Sequence, residues 1–242
     1  MKISVRKGAA FIVFLVFTCF TAANSQEFNK ACSKDSLLQA IIKDMPKDKQ
    51  NEFVKYYNSG NDKDKEFLLF MGSMPRSSKK AMISNIDTNY EKISYLKQQY
   101  SKLVPLDYIV SIEFEPANNV FSIEESITLK IDGKDTSMQQ WQLPYTSDTL
   151  QKMLRIIGWN TGTVMQVKKM LTDAHCISIE NGKTTTIGFS RSGMGIYSYL
   201  LSDEKLNTDA GQYSNECNYF LYKNNVLLEY EGGAIGPQCF PD

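Results

Sequence analysis

The sequence predicts an α+β fold in which an N-terminal helical segment packs on an antiparallel sheet. Three observations carry that prediction. Between residues 33 and 104 apolar side chains recur at steps of three and four, the period of a helix with one buried stripe. After Pro105 they alternate, the period of a strand with one dry and one wet face. The chain also opens on an export-type segment and keeps an even number of cysteines behind it, so disulfides are expected to brace the second half. The organisation expected is a signal peptide over 1–25, a helical segment over 26–104 and a disulfide-braced α+β domain over 105–242.

Lys2, Arg6 and Lys7 form a basic n-region, Ala9 to Phe20 an apolar h-region, and Ala23-Asn24-Ser25 a small-residue cleavage site. The apolar run falls short of the ~20 residues that span a bilayer, so no transmembrane anchor is expected in the mature chain. Lipidation at Cys19 would need a small, Leu-led approach, and Val16-Phe17-Thr18 does not supply one. The localisation expected is secreted or periplasmic.

Ser33 caps a first helix with the stripe Leu37, Leu38, Ile41 and Ile42, ending before Pro46. A second, from Lys47 to Tyr57, presents Phe53, Val54 and Tyr57 and stops at Asn58-Ser59-Gly60. A third, from Asp62 to Met71, carries Phe67, Leu68 and Phe70, with Gly72 expected to end it. The fourth, from Pro75 to Leu103, is longer, with Met82, Ile83, Ile86, Tyr90, Ile93, Leu96, Tyr100 and Leu103 on one stripe. Such a stripe suits a coiled coil or a helix lying on its own domain. Lys97 breaks the seam that a coiled coil requires, which favours the second reading.

Beyond Pro105, Tyr108, Val110, Ile112 and Phe114 alternate with Ile109, Ser111, Glu113 and Glu115. Phe121 to Ile131 follows as a second strand, Asp132-Gly133 as a turn, and Met138 to Leu143, bearing Trp141, as a third: a three-stranded meander. Ser147 and Asn160 or Thr161 start two helices, the first closed by Gly158, that form a hairpin able to cover the dry side. Asn181-Gly182 between two β-type runs predicts a hairpin with a type I′ turn. Ser190 to Gly195 is a small-residue loop, Ile196 to Leu201 a strand, and Asp203 to Asn215 a polar loop expected to be mobile. Tyr219 to Tyr222 and Val226 to Tyr230 form the last hairpin across Lys223-Asn224-Asn225, and the glycines of the tail let Cys239 return towards Cys217.

The chain has 27 basic and 27 acidic side chains, and the leader holds three cations and no anions, leaving 24 basic against 27 acidic groups. That near-balance gives no electrostatic footprint for nucleic acid. Cys32, Cys176, Cys217 and Cys239 allow three pairings, of which Cys217 with Cys239 and Cys32 with Cys176 are preferred. No C-x2-C spacing and a single histidine argue against a metal site, and no motif calls for a cofactor.

The candidates for chemistry are few. His175 adjoins Cys176, but strand neighbours point to opposite faces and nothing positions a base beside a nucleophile. Gly188-Phe189-Ser190-Arg191-Ser192 fails the G-x-S-x-G elbow at its last position. Of the carboxylates at Glu113, Glu115, Glu124 and Glu125, alternation turns only Glu125 inward, where a glycosidase acid would sit. Arg191, in a glycine-flanked loop with Tyr197 and Tyr199 behind it, is the best candidate for gripping an anionic or sugar-like ligand. No catalytic residue is assigned. The ligand-binding candidates are Arg191, Tyr197, Tyr199, His175 and Glu125. The function expected is that of an exported non-catalytic binding or interaction protein with a protein, small-molecule or glycan partner. The alternatives are a carboxylate hydrolase of cell-surface glycans and an immunity or inhibitor protein.

Overall fold

A computed structural model of the chain describes residues 28–29, 31–118, 120–204, 217–223, 225–233 and 239–240. The expected signal peptide with Cys19, all but the first two residues of the polar loop Asp203–Asn215, Asn224 and the tail positions 234–238 lie outside the described residues.

Local chemistry sets most helix boundaries. Ser33 caps α1 (Lys34–Asp44) by accepting from the amide of Ser36. Gly60 closes α2 (Lys47–Ser59). Asn61 and Asp64 form a capping box at the start of α3 (Asp62–Ser73). Gly72 does not end α3 as expected; it lies inside the helix, where a Cβ would come within 2.8 Å of Ile41, so the missing side chain lets α1 and α3 close together. Helix α4 (Lys79–Leu103) starts later than Pro75 because the preceding segment is bound elsewhere: the Pro75 carbonyl accepts from the Gly193 amide and the Ser77 amide donates to Ser192 Oγ.

Strands β1 (Tyr108–Glu115), β2 (Ser126–Gly133) and β3 (Thr136–Leu143) form the expected meander, followed by the hairpin of α5 (Asp148–Ile156) and α6 (Thr161–Asp173). Strands β4 (Ser178–Glu180), β5 (Thr185–Ser192), β6 (Gly195–Leu201), β7 (Tyr219–Lys223) and β8 (Val226–Glu231) complete the fold. β1 pairs with β4, so meander and hairpins merge into one eight-stranded antiparallel sheet in the order β3-β2-β1-β4-β5-β6-β8-β7. The α+β class is as the sequence predicts.

Two turns differ from expectation. The turn after β2 falls at Lys134-Asp135, because the ring of Tyr108 packs against Gly133 and keeps it in the strand. Asn181-Gly182 does not make a two-residue turn either. Asn181 is bound to β1, its Oδ1 accepting from the Val110 amide at 2.7 Å and its Nδ2 donating to the Tyr108 carbonyl, so the β4–β5 connection is longer.

The core falls into two clusters. In the larger, Val110, Ile112, Leu129, Ile131, Ile187 and Tyr199 on the sheet meet Met82, Ile86, Ile93, Leu96 and Tyr100 of α4 and the apolar sides of α5 and α6. Helix α4 therefore lies on its own domain. Tyr100 donates its hydroxyl to the Val110 carbonyl, and Trp159 its indole N–H to the Leu103 carbonyl at 2.8 Å. The smaller cluster joins Leu38, Ile41, Tyr57 and Leu69 of α1–α3 to Phe28 and Phe121. Phe121 is drawn out of β2 into that cluster, edge-on to Phe28 and Phe70, by a turn at 118–123 in which Asn118 Oδ1 accepts from the amides of Val120 and Phe121. The second strand therefore starts at Ser126 rather than Phe121.

Cys217 and Cys239 are joined, closing a span of 22 residues. The other expected bridge is not made: Cys32 packs against the smaller cluster while Cys176 is buried in the larger. The two thiols lie with different hydrophobic clusters. In denaturant without reductant, mass-resolved alkylation is expected to modify Cys32 and Cys176 and to spare Cys217 and Cys239. Replacing the latter pair by serine is expected to cost about 3 kcal/mol in urea unfolding.

Candidate functional site

Alternation divides the sheet into an apolar face under α4, α5 and α6 and a polar face opposite. The registers align one row of the polar face across the sheet: Thr128, Glu113, Ser178, Gly188, Ser198 and Glu229. Beside them stand Ser111, Glu115, Lys130 and Asp132. A bulge in β5 between Gly188 and Ser190 shifts the register by one, so Arg191 pairs with Ile196 and points to the polar face. Gly188 fits here because a Cβ would lie 2.0 Å from Ser178 Oγ.

Arg191 therefore reaches across to β1 and binds both oxygens of Glu113, Nε to Oε1 at 2.6 Å and Nη2 to Oε2 at 2.5 Å. Those hydrogen bonds raise the guanidinium pKa further, so Arg191 is a permanent cation. Glu113, expected in solvent, is 9% exposed and is half of the central ion pair. Lys130 binds Asp132 at 2.7 Å, and this bond and a second from Ser137 hold the Asp132 carboxyl below its usual pKa. Thr128 and Ser126 donate to Glu115. Both cations of this stretch, Arg191 and Lys130, are thus held by carboxylates of the same face.

The other expected site residues are not brought together with Arg191. Tyr197 and Tyr199 lie on the apolar face with no exposure, because the β5 bulge separates their parity from that of Arg191. The Tyr199 hydroxyl donates to the Met82 carbonyl and accepts from Asn85 Nδ2, and burial drives its pKa far up. Glu125 precedes β2 and is exposed, bound to Lys168 at 2.6 Å; strand alternation does not reach it, and no apolar pocket encloses it. His175 ends α6. Its amide bonds to Thr172 and the Cys176 amide to Leu171, with His175 at φ 52°, the left-handed position of a Schellman cap. Gly158 fills the same position after α5.

No family model, curated protein or solved structure matches the chain. The chemistry of the polar face and its surroundings is therefore the ground for a functional reading.

Two further features escaped the sequence. Asn85 and Asn89, buried on α4, form a polar chain: Asn89 Nδ2 donates to Asn85 Oδ1, and Asn85 Nδ2 donates to Tyr199 and to the Ala174 carbonyl. At Asn89 the helix leaves regular geometry. Burial in this neighbourhood pushes the Cys176 thiol up to about 12, which keeps it protonated and inert. At the sheet's end a shallow groove of about 520 Å³ runs past Leu106, Tyr108, Ile109, Asn181 and Lys183. Leu106 is fully exposed on its lip. The signal for the asparagines was there: each falls within the apolar stripe of α4, one helical turn apart.

Arg191→Ala strands the Glu113 carboxylate at low exposure. We expect a loss on the order of 2 kcal/mol, less than for a fully buried pair because the guanidinium keeps part of its hydration. The double change Arg191→Met with Glu113→Leu is expected to recover most of it in denaturant melts. His175→Gly removes the strain of a side chain at positive φ and is expected to raise stability by ~0.5–1 kcal/mol. A loss of stability in that variant would mean that the imidazole itself is needed.

Proposed function

We propose that the protein is an exported, non-catalytic binding protein and that it recognises its ligand on the polar face of the sheet. One observation carries the reading: Arg191 and Glu113 saturate each other bidentately at the centre of that face, with Lys130 and Asp132 paired beside them. A catalytic acid, base or nucleophile must keep a reactive lone pair or proton for substrate. Groups locked in mutual hydrogen bonds make a rigid, preorganised surface, which suits recognition. Export is supported by the basic and apolar leader and by the Cys217–Cys239 bridge. Among the described residues no helix is long and apolar enough to cross a membrane.

The test is retention of purified protein on immobilised polysaccharides, peptides and lipids. Ser111→Arg, which sets a bulky cation on the polar face of β1, is compared with Thr88→Arg on the exposed side of α4. Retention of the wild type is expected, with a loss of about tenfold or more in Ser111→Arg, equivalent to ~1.4 kcal/mol, and none in Thr88→Arg. Equal retention of both variants would refute the assignment of the face. Turnover of a retained substrate would refute the non-catalytic reading.

A further inference from the structure

We infer that Trp141 is the stacking platform of a binding site for a neutral glycan chain, which lies on the polar face and enters it from the β3 edge. The inference rests on the reading of that face as the recognition surface, and it adds the ligand class and the residue that holds the ligand.

The two tryptophans of the chain are used in opposite ways. Trp159 is 5% exposed and hydrogen-bonded inside the core, whereas Trp141 is 65% exposed on the edge strand. Tryptophan is the largest apolar side chain available, and leaving one in water forfeits its burial. The local backbone displays it further. Ile127 pairs with Leu143 and Leu129 with Gln140, so Trp141 and Gln142 share the place opposite Thr128. Gln142 holds φ 54°, a left-handed conformation that is costly for a residue with a Cβ. The bulge therefore sets Trp141 at the end of the row that runs through Thr128 and Glu113 towards Arg191.

The surroundings select the ligand. Gln139, on the same face, and Gln142, at the bulge, are exposed beside Trp141, and each amide offers both donors and an acceptor. Both cations near the indole are engaged, Arg191 by Glu113 and Lys130 by Asp132, while Glu115 is held by the hydroxyls of Thr128 and Ser126. An anionic ligand would have to break one of those pairs. A protein hot spot would place further apolar side chains around the indole, and here amides stand instead. A pyranose ring has the matching chemistry, with a C–H face for the indole and a rim of neutral hydroxyls for the amides and Thr128. From β3 to β5 the face measures roughly 19 Å at ~4.8 Å per strand, room for several sugars in a row.

Acrylamide quenching of tryptophan emission tests the inference, because the quencher reaches Trp141 and not Trp159. Short neutral oligosaccharides built on glucose, mannose and N-acetylglucosamine are the probes, used with full-length mature protein. At least one of the series is expected to shield Trp141. Trp141→Ala is expected to lose about tenfold or more in affinity for it on a matching immobilised polysaccharide, with an unchanged melting temperature, and Trp141→Phe to keep part of the binding. Absence of shielding by every neutral oligosaccharide overturns the inference, as does binding of only anionic glycans or peptides through Trp141. Unchanged binding in Trp141→Ala also overturns it. If Ser111→Arg still abolishes binding in that case, the polar face stands as the recognition surface and only the platform is wrong; if neither variant loses binding, both readings fail.

Discussion

Val110, Ile112, Ile127, Leu129, Ile131 and Ile187 have no exposure because α4, α5 and α6 lie across them, and the rest of the structure depends on that burial. Each fully buried aliphatic side chain of this size contributes on the order of 1.5–3 kcal/mol, and the row spans the centre of the sheet. Helix α4 is held to it by direct bonds as well. Tyr100 donates to β1, and Tyr199 and Asn85 join β6, α4 and the last turn of α6 in one buried network. An asparagine buried without partners would be costly, so this network also fixes the position of the helix on the sheet.

Covering one face leaves the other to satisfy itself. Strand alternation sends Ser111, Glu113, Thr128, Lys130 and Ser178 to the same side, where Glu113 needs a counter-charge. The bulge in β5 supplies one by turning Arg191 over Gly188 to Glu113. This face carries more carboxylates than cations, with Glu113, Glu115, Asp132, Glu180, Glu229 and Glu231 set against Lys130 and Arg191. Trp141 stands exposed at its β3 end, which gives the surface a direction along which a ligand can lie.

Much of this was legible in the sequence where the chemistry is local. Ser33, Ser147 and Asn160 cap helices as their types predict, and the period change at Pro105 marks the passage from helix to strand. The final hairpin and the Cys217–Cys239 bridge follow from turn residues and short separation. The parts that escaped are decided by distant partners. Asn181-Gly182 reads as a tight turn until Asn181 binds β1. Arg191 reads as an exposed loop residue until a one-residue bulge, invisible to alternation, reverses its side. Glu125 reads as inward-facing only if the strand begins at Phe121, and Phe121 belongs to the other cluster. Pairing of β1 with β4, which unites the sheet, leaves no mark in either segment alone.

The central claim is that recognition occurs on the polar face while the apolar face stays closed under α4. The most direct measurement is a nuclear magnetic resonance titration of isotope-labelled protein with the best-retained polysaccharide fragment. The account predicts shifts at the Trp141 indole, Gln139, Thr128 and Ser111, with the Trp159 indole and the Asn85 amide unmoved. Shifts concentrated at Trp159 and Asn85, with the polar face silent, would contradict it.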